Sequence, residues 1–268
     1  MKQRLDYHLH TVHSFDGEQS VEELCRRMTA LGVEEICLTE HIEPGHPDKS
    51  ADVPPIWDIY RHDLAMARMQ FPSLTIRMGV EIGDNPLCRD QTKALLKDLD
   101  LDYHLLSLHL VNGVDCYDAE AYYGGRARAE AYREYAEAKA ESILAWEDFD
   151  CVAHIGYVAR YSPYTENKPL VYADAPDCFD AIFRHIITLG KCLEVNTSGK
   201  KSTGFYLPHP SLLKRYLELG GELFTFGSDA HTTDRCYEGI EDAKELVRTL
   251  GGRWQCSFDH RKCTPLPL

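Results

Sequence analysis

Seven short apolar runs alternating with amphipathic helical patterns predict an α/β fold, read here as a seven-stranded TIM-like (β/α)7 barrel. Three observations carry that reading. Strand–helix alternation repeated seven times implies a parallel sheet. Gly32, Gly190, Gly220 and Gly251 each fall just past a helical run, where a C-cap favours glycine. Every strand delivers a polar or metal-capable side chain at its C-terminal end, the end that carries chemistry in α/β barrels. An open doubly wound sheet is the competing architecture. Its phosphate loops are missing: "SGKKS" at 198–202 lacks the upstream glycine of a P-loop, and no G-x-G-x-x-G occurs. A chain of 268 residues suits a single barrel domain over 1–268.

The strand-like runs, in order, are Leu5–His10, Glu35–Thr39, Leu74–Glu81, Tyr103–His109, Cys151–Ile155, Cys192–Asn196 and Leu223–Ser228. Between them lie helical patterns over Ser20–Leu31, Trp57–Gln70, Asp90–Leu99, Ala119–Trp146, Ala175–Leu189, Ser211–Leu219 and Glu238–Leu250. The first opens with Ser20 as N-cap and Glu23 at the capping-box position.

Composition narrows the function classes. A formal net charge of -14 argues against a nucleic-acid surface, which needs a basic stripe. It leaves room for a small anionic substrate, because bound cations reverse the local sign inside a cleft. No apolar run approaches the ~20 residues of a membrane helix, and Met1–Arg4 runs into the first strand without a signal-peptide core. Ten cysteines form no C-x-x-C pair and sit mostly in apolar runs, which reads as buried reduced thiols in a cytoplasmic protein.

The strand ends carry the chemistry. In "DYHLH", Asp6, His8 and His10 share one face of an ideal strand. His41 follows strand two, Glu81 ends strand three and His109 ends strand four. His154 ends strand five and Asn196 strand six, while Asp229 and His231 follow strand seven. A lone histidine at a strand end is more often structural than a ligand. Recurrence on six of seven strands, all with the same polarity, makes coincidence a poor account. His46, His62, His104, His185, His209 and His260 fall off this pattern and read as surface or structural; His13 is ambiguous.

These residues, in this order, resemble the PHP (polymerase and histidinol phosphatase) family, through "DYHLH", "TEH", "SLH" with "AHIG", and "GSDAH". The resemblance covers essentially the whole chain. It implies a distorted seven-stranded barrel and a centre of three divalent metal ions, Zn, Fe or Mn. His8, His10, Glu81 and Asp229 would hold one ion. Glu81 as a bridge, with His109 and His154, would hold the second, and Asp16, His41 and His231 the third. Asp6 would sit behind them, orienting a ligand imidazole.

Within the family the chain looks most like the histidinol-phosphate phosphatases. That implies hydrolysis of L-histidinol phosphate, a small phosphate ester, in histidine biosynthesis. A hydroxide bridging two metals would attack phosphorus. Asp229, His231 and Arg160 are the expected catalytic residues, with Arg160 gripping the phosphoryl group. Arg160, Asn196, Ser198, Lys200, Tyr117 and Tyr161 are the expected substrate contacts, Lys201 being the alternative to Lys200. The competing activity is that of a family phosphodiesterase or exonuclease acting on nucleotide or other small phosphoesters.

Overall fold

In the computed structural model, which describes residues 3–268, the main sheet has nine strands whose spatial order is their chain order. These are β1 Leu5–Asp6, β2 Glu35–Ile42, β3 Thr75–Gly83, β4 Tyr103–Ser107, β5 Cys151–Val152, β6 Cys192–Asn196, β7 Leu223–Gly227, β8 Trp254–Asp259 and β9 Lys262–Pro267. All neighbours are parallel except β8 and β9, which form an antiparallel hairpin. The first seven close into a ring. Beyond β1 the chain leaves ideal strand geometry but still bonds to β7. Tyr7 donates its N–H to Phe226 O (2.9 Å), Asp229 to His8 O (2.8 Å) and His10 to Ala230 O (3.1 Å).

The principal helices, α1 Val21–Ala30, α2 Trp57–Gln70, α3 Arg89–Lys97, α4 Arg128–Leu144, α5 Pro176–Thr188, α6 Pro210–Glu218 and α7 Ile240–Thr249, alternate with these strands. Their apolar stripes and the outward residues of the strands, among them Ile36, Leu106, Val152 and Leu193, form the larger core. The capping box at the start of α1 forms as expected, with Glu23 N–H donating to Ser20 Oγ (3.2 Å) and Ser20 N–H to Glu23 Oε2 (2.9 Å). The helical pattern over 119–146 is two helices, Ala119–Tyr123 and α4. Gly124 and Gly125 interrupt it, Gly125 with φ of +69°, a conformation that ends a helix at no steric cost to glycine.

The barrel floor is a second, inner core of Leu5, Tyr7, Cys37, Tyr103, Leu105, Cys151, Cys192, Cys256 and Phe258. Removing a large apolar side chain of this kind from water contributes about 1.5–3 kcal/mol. The β8–β9 hairpin, absent from the sequence expectation, seals this end. It pairs with the lower half of β7 (Trp254 with Leu223, Gln255 with Phe224), below the stretch that bonds to the first strand. Its Phe258 N–H donates to the Tyr7 hydroxyl (2.7 Å). The interior above this floor is open to polar groups.

One sequence expectation fails in an informative way. Asp6 does not share a face with His8 and His10. It pairs in register with Ile36, which belongs to the outer core, while Leu5 and Tyr7 face the floor. The alternation slips by one between Tyr7 and His8, where the ladder ends. Asp6 instead accepts from Ser228 N–H (3.0 Å), Ser228 Oγ (2.6 Å) and the His8 backbone N–H (3.4 Å). It fixes the backbone at the slip and touches no ligand imidazole.

Candidate metal centre

Glu81 is the hub of the barrel mouth. It lies inward on β3, next to His41 in the parallel register, and is almost fully buried. One carboxylate oxygen, Oε2, lies 3.1 Å from His8 Nε2 and 3.4 Å from His10 Nε2. The other, Oε1, lies 2.7 Å from His154 Nε2 and 3.3 Å from His109 Nε2. Asp229 Oδ1 completes the first group, 3.6 Å from His8 Nε2 and 3.5 Å from His10 Nε2. Asp16 lies across the mouth, with Oδ1 3.6 Å from His41 Nε2 and Oδ2 3.1 Å from His231 Nε2. The nine residues of the expected ligand set therefore converge on one cup, with Glu81 between two groups.

Backbone geometry sets these positions. Asp229 has φ of +54°, a left-handed conformation that Asp tolerates better than bulkier residues. The turn brings Asp229 and His231 back over the ring after β7 ends. Gly227 allows the close approach beneath them, since a Cβ there would stand 2.3 Å from His8 Cβ and 2.6 Å from Glu194 Oε1. Asp16 arrives on a loop held by buried Glu40. That carboxylate accepts from Thr11 Oγ1 (2.6 Å), Thr11 N–H (3.1 Å) and Ser14 Oγ (2.5 Å).

Two carboxylates that the strand-end pattern does not single out orient the imidazoles. Glu194, inward on β6, bonds His8 Nδ1 at 2.6 Å and accepts the His154 backbone N–H at 2.7 Å. Glu43 contacts His109 Nδ1 at 2.7 Å and His41 Nδ1 at 3.2 Å. His231 Nδ1 faces its own turn through Asp229 O (3.0 Å). The contacts to His8, His41, His109 and His231 occupy Nδ1 and leave Nε2 aimed into the cup, the usual arrangement behind a metal-binding histidine. Gly83 makes room for Glu43, because a Cβ there would stand 1.8 Å from its carboxylate.

The electrostatics fit cations. Burial penalises the charge on Glu81, yet His8, His109 and His41 hold its carboxyl well below the usual range. Burial also works against charge on Asp229, and His8 and Arg160 overcome it in the same direction. Burial opposes protonation of His109, but Glu43 and Glu81 raise it to about 10. His10 differs. Burial, reinforced by His41 and His231 stacked at centroid distances of 4.3 Å, pushes it down to about 3. Among the described residues its buried Nε2 has no hydrogen-bond partner, although two carboxylates stand within 3.5 Å. A neutral imidazole lone pair facing carboxylate oxygens is a donor set for a divalent ion, not for a proton.

The cup opens into a cavity of about 340 Å³ whose wall includes Phe15, Asp115, Tyr157, Arg160, Tyr161, Ser198 and Arg235. Arg160 follows His154 on a one-turn helix, Tyr157–Tyr161, and donates to Asp229 Oδ2 at 2.7 Å. Ser198 Oγ contacts the same oxygen at 3.0 Å. Tyr117 and Tyr161 meet edge to face, with ring centroids 4.9 Å apart, in an adjoining hollow.

Two expected substrate contacts lie elsewhere. Asn196 is fully buried and outside the cavity wall; its amide faces Asp229 Oδ2 (3.3 Å), while its Oδ1 accepts from Ser198 Oγ (2.6 Å). Lys200 turns outward on the short helix Lys200–Thr203, with Nζ 2.9 Å from Tyr206 OH and 3.6 Å from Asp242. Lys201 on the same turn is exposed. Arg235 supplies the second cation of the wall, four residues beyond His231. His46 is buried in the wall against Asp115 (3.2 Å), not on the surface. His13 pairs with Asp63 (3.1 Å), outside the cavity wall.

The chain is similar to known proteins along most of its length. A PHP domain family model matches residues 6–198. The chain is similar to the histidinol-phosphatase of Lactococcus lactis, 29% identical over 97% of this chain and 96% of that protein. It is also similar to a probable histidinol-phosphatase of Clostridium acetobutylicum, 30% identical over 90% of this chain and 92% of that one. The crystal structure of the L. lactis histidinol phosphate phosphatase with zinc, L-histidinol and phosphate superposes with a TM-score of 0.88, at 26% identity over 98% of this chain and 99% of that one. The fold, the converging ligands and these matches place the chain in the PHP family.

Proposed function

We propose that this protein is a metal-dependent phosphomonoesterase that hydrolyses L-histidinol phosphate to L-histidinol and phosphate. The observation that carries the reading is the guanidinium of Arg160 held at 2.7 Å from Asp229, at the edge of a cup of imidazoles and carboxylates. A site built this way suits a phosphate dianion bound between cations. The same reading is supported by the L. lactis relative, whose crystal structure holds zinc, L-histidinol and phosphate.

Three divalent ions, Zn, Fe or Mn, fit the donors. His8, His10, Glu81 and Asp229 would hold one, Glu81, His109 and His154 a second, and Asp16, His41 and His231 a third. Ions bound there supply Lewis acidity toward the phosphoryl oxygens and toward an attacking water. The protein's own groups do the rest. Arg160 fixes the phosphoryl group and offsets charge that builds on its oxygens as phosphorus is attacked. Ser198 and Asn196 hold Asp229 in place, so the carboxylate stays aimed while Arg160 turns toward substrate. Arg235 stands at the rim as a second cation. The organic end of the substrate is cationic, and the hollow beside the cup offers Asp115 and the faces of Phe15, Tyr117 and Tyr161.

The test is initial-rate phosphate release from L-histidinol phosphate beside hydrolysis of bis(p-nitrophenyl) phosphate, with metal-replete enzyme. The monoester is expected to win in kcat/KM. A large preference for the diester would overturn the phosphomonoesterase reading in favour of a family phosphodiesterase.

A further inference from the structure

At the opposite end of the barrel from the metal centre, three thiols converge. The Sγ atoms of Cys192 on β6, Cys256 on β8 and Cys263 on β9 all lie within 4.8 Å of one another. Cys192 and Cys256 are buried in the floor core, and Cys263 is half-buried at its edge. The register explains the meeting. Phe258 stands opposite Cys263 and Cys256 opposite Pro265, so Cys256 and Cys263 lie on one face of the hairpin as diagonal neighbours. Inward-facing Cys192 comes from two strands away across β7.

These thiols differ from other buried cysteines of the same floor. Cys37 donates to Leu38 O (3.8 Å), and Cys151 donates to Val152 O (3.7 Å) and meets Thr225 Oγ1 (3.1 Å). Among the described residues, none of the three clustered sulfurs has such an oxygen partner. None is in a disulfide. Sulfurs bound at about 2.3 Å around one ion stand about 3.8–4.0 Å apart. The observed spacing needs an adjustment of under about 1 Å to meet that geometry. A disulfide would use only two of the three. Among the described residues the group is Cys192, Cys256 and Cys263 alone, and an all-sulfur set selects a soft ion over Mg²⁺ or Mn²⁺.

We propose that Cys192, Cys256 and Cys263 form a second metal site, which takes one thiophilic d10 ion such as Zn²⁺, Cd²⁺ or Cu⁺. The ion displaces the thiol protons to solvent and ties the C-terminal hairpin to β6, clamping the floor shut.

Cd²⁺ is the probe. Protein already saturated with active-site ions is titrated while the ultraviolet thiolate-to-cadmium charge-transfer band is followed; imidazole and carboxylate ligands do not produce that band. One equivalent is expected to develop it and to raise the Tm. Cys263→Ser and Cys192→Ser are expected to abolish both effects while phosphate release stays at the native rate. Absence of a one-equivalent band in the native protein overturns the proposal. So does a band of unchanged stoichiometry and affinity in Cys263→Ser. The native titration decides even if Cys192→Ser fails to fold, because it needs no variant.

Discussion

Glu194→Gln is the most discriminating single change behind the metal centre. The carboxylate has two acceptor ends in use: His8 Nδ1 at 2.6 Å and the His154 backbone N–H at 2.7 Å. Both partners are donors toward it when the imidazoles turn Nε2 to the ions. Glutamine keeps the shape but has one acceptor and one donor end. One of the two N–H groups then faces an amide NH₂. If His8 loses its acceptor, the ring is free to rotate or change tautomer, and Nε2 no longer points reliably at Glu81 and Asp229. Loss of an outer partner of this kind costs about 10–100-fold in metal affinity, or about 1.4–2.7 kcal/mol. If His154 N–H is orphaned instead, the penalty of about 1–3 kcal/mol falls on folding and on the second imidazole group. Competition with a chelator of known affinity would show the weaker site. Phosphate release measured across a metal titration would show activity recovered at high metal concentration. Unchanged chelator competition, unchanged Tm and unchanged kcat together would refute the assignment of Glu194 as the orienting group.

Other changes test other parts of the account. Glu81→Ala removes the shared carboxylate and is expected to empty two ion positions; a desalted variant that keeps native metal content and kcat would contradict the bridge. Arg160→Ala removes a charge-assisted contact worth about 2–3 kcal/mol and should lower kcat/KM about 30–150-fold, with metal content intact by elemental analysis. Metal uptake should release protons at pH 7 and tighten as pH rises. His109 in the metal-free protein is raised to about 10, so it holds a proton that an ion must expel. The same raised value stabilises the metal-free fold below about pH 6.5, and that contribution is lost as pH climbs toward 10. Calorimetric titration in two buffers of different ionisation enthalpy reads the proton count, and a count of zero at pH 7 would contradict the cluster electrostatics.

The ring of strands and the converging side chains were legible because burial and chemistry follow one polarity in an α/β barrel. A histidine or carboxylate at one strand end means little, but the same end repeated around the ring points to a shared mouth. What escaped was set by neighbours distant in sequence. The slip between Tyr7 and His8 depends on Ser228 and Phe226 across the closure, so period two in "DYHLH" misplaced Asp6. Glu43 and Glu194 did leave a trace. Glu43 lies two residues beyond His41, on its side of the chain, and Glu194 is a lone carboxylate within the apolar run of β6. An inward acid in a buried strand needs a partner, and imidazoles were the available ones. Lys200 was misassigned because the short helix after Gly199 swings its side chain toward Tyr206 and Asp242. The C-terminal hairpin carried its own signal, with inward Cys256 and Phe258 alternating with Gln255 and Ser257 and a turn at His260 and Arg261, both with positive φ.

The central claim is that a cup of nine ligands centred on Glu81 binds divalent ions and uses them to release phosphate from L-histidinol phosphate. Elemental analysis of the purified protein, paired with phosphate release before and after chelation, tests it most directly. The account predicts three ions per chain in a Cys263→Ser background, loss of turnover on chelation and its return with Zn²⁺, Fe²⁺ or Mn²⁺. Fewer than two tightly bound ions, or undiminished phosphate release from the chelated protein, would contradict it.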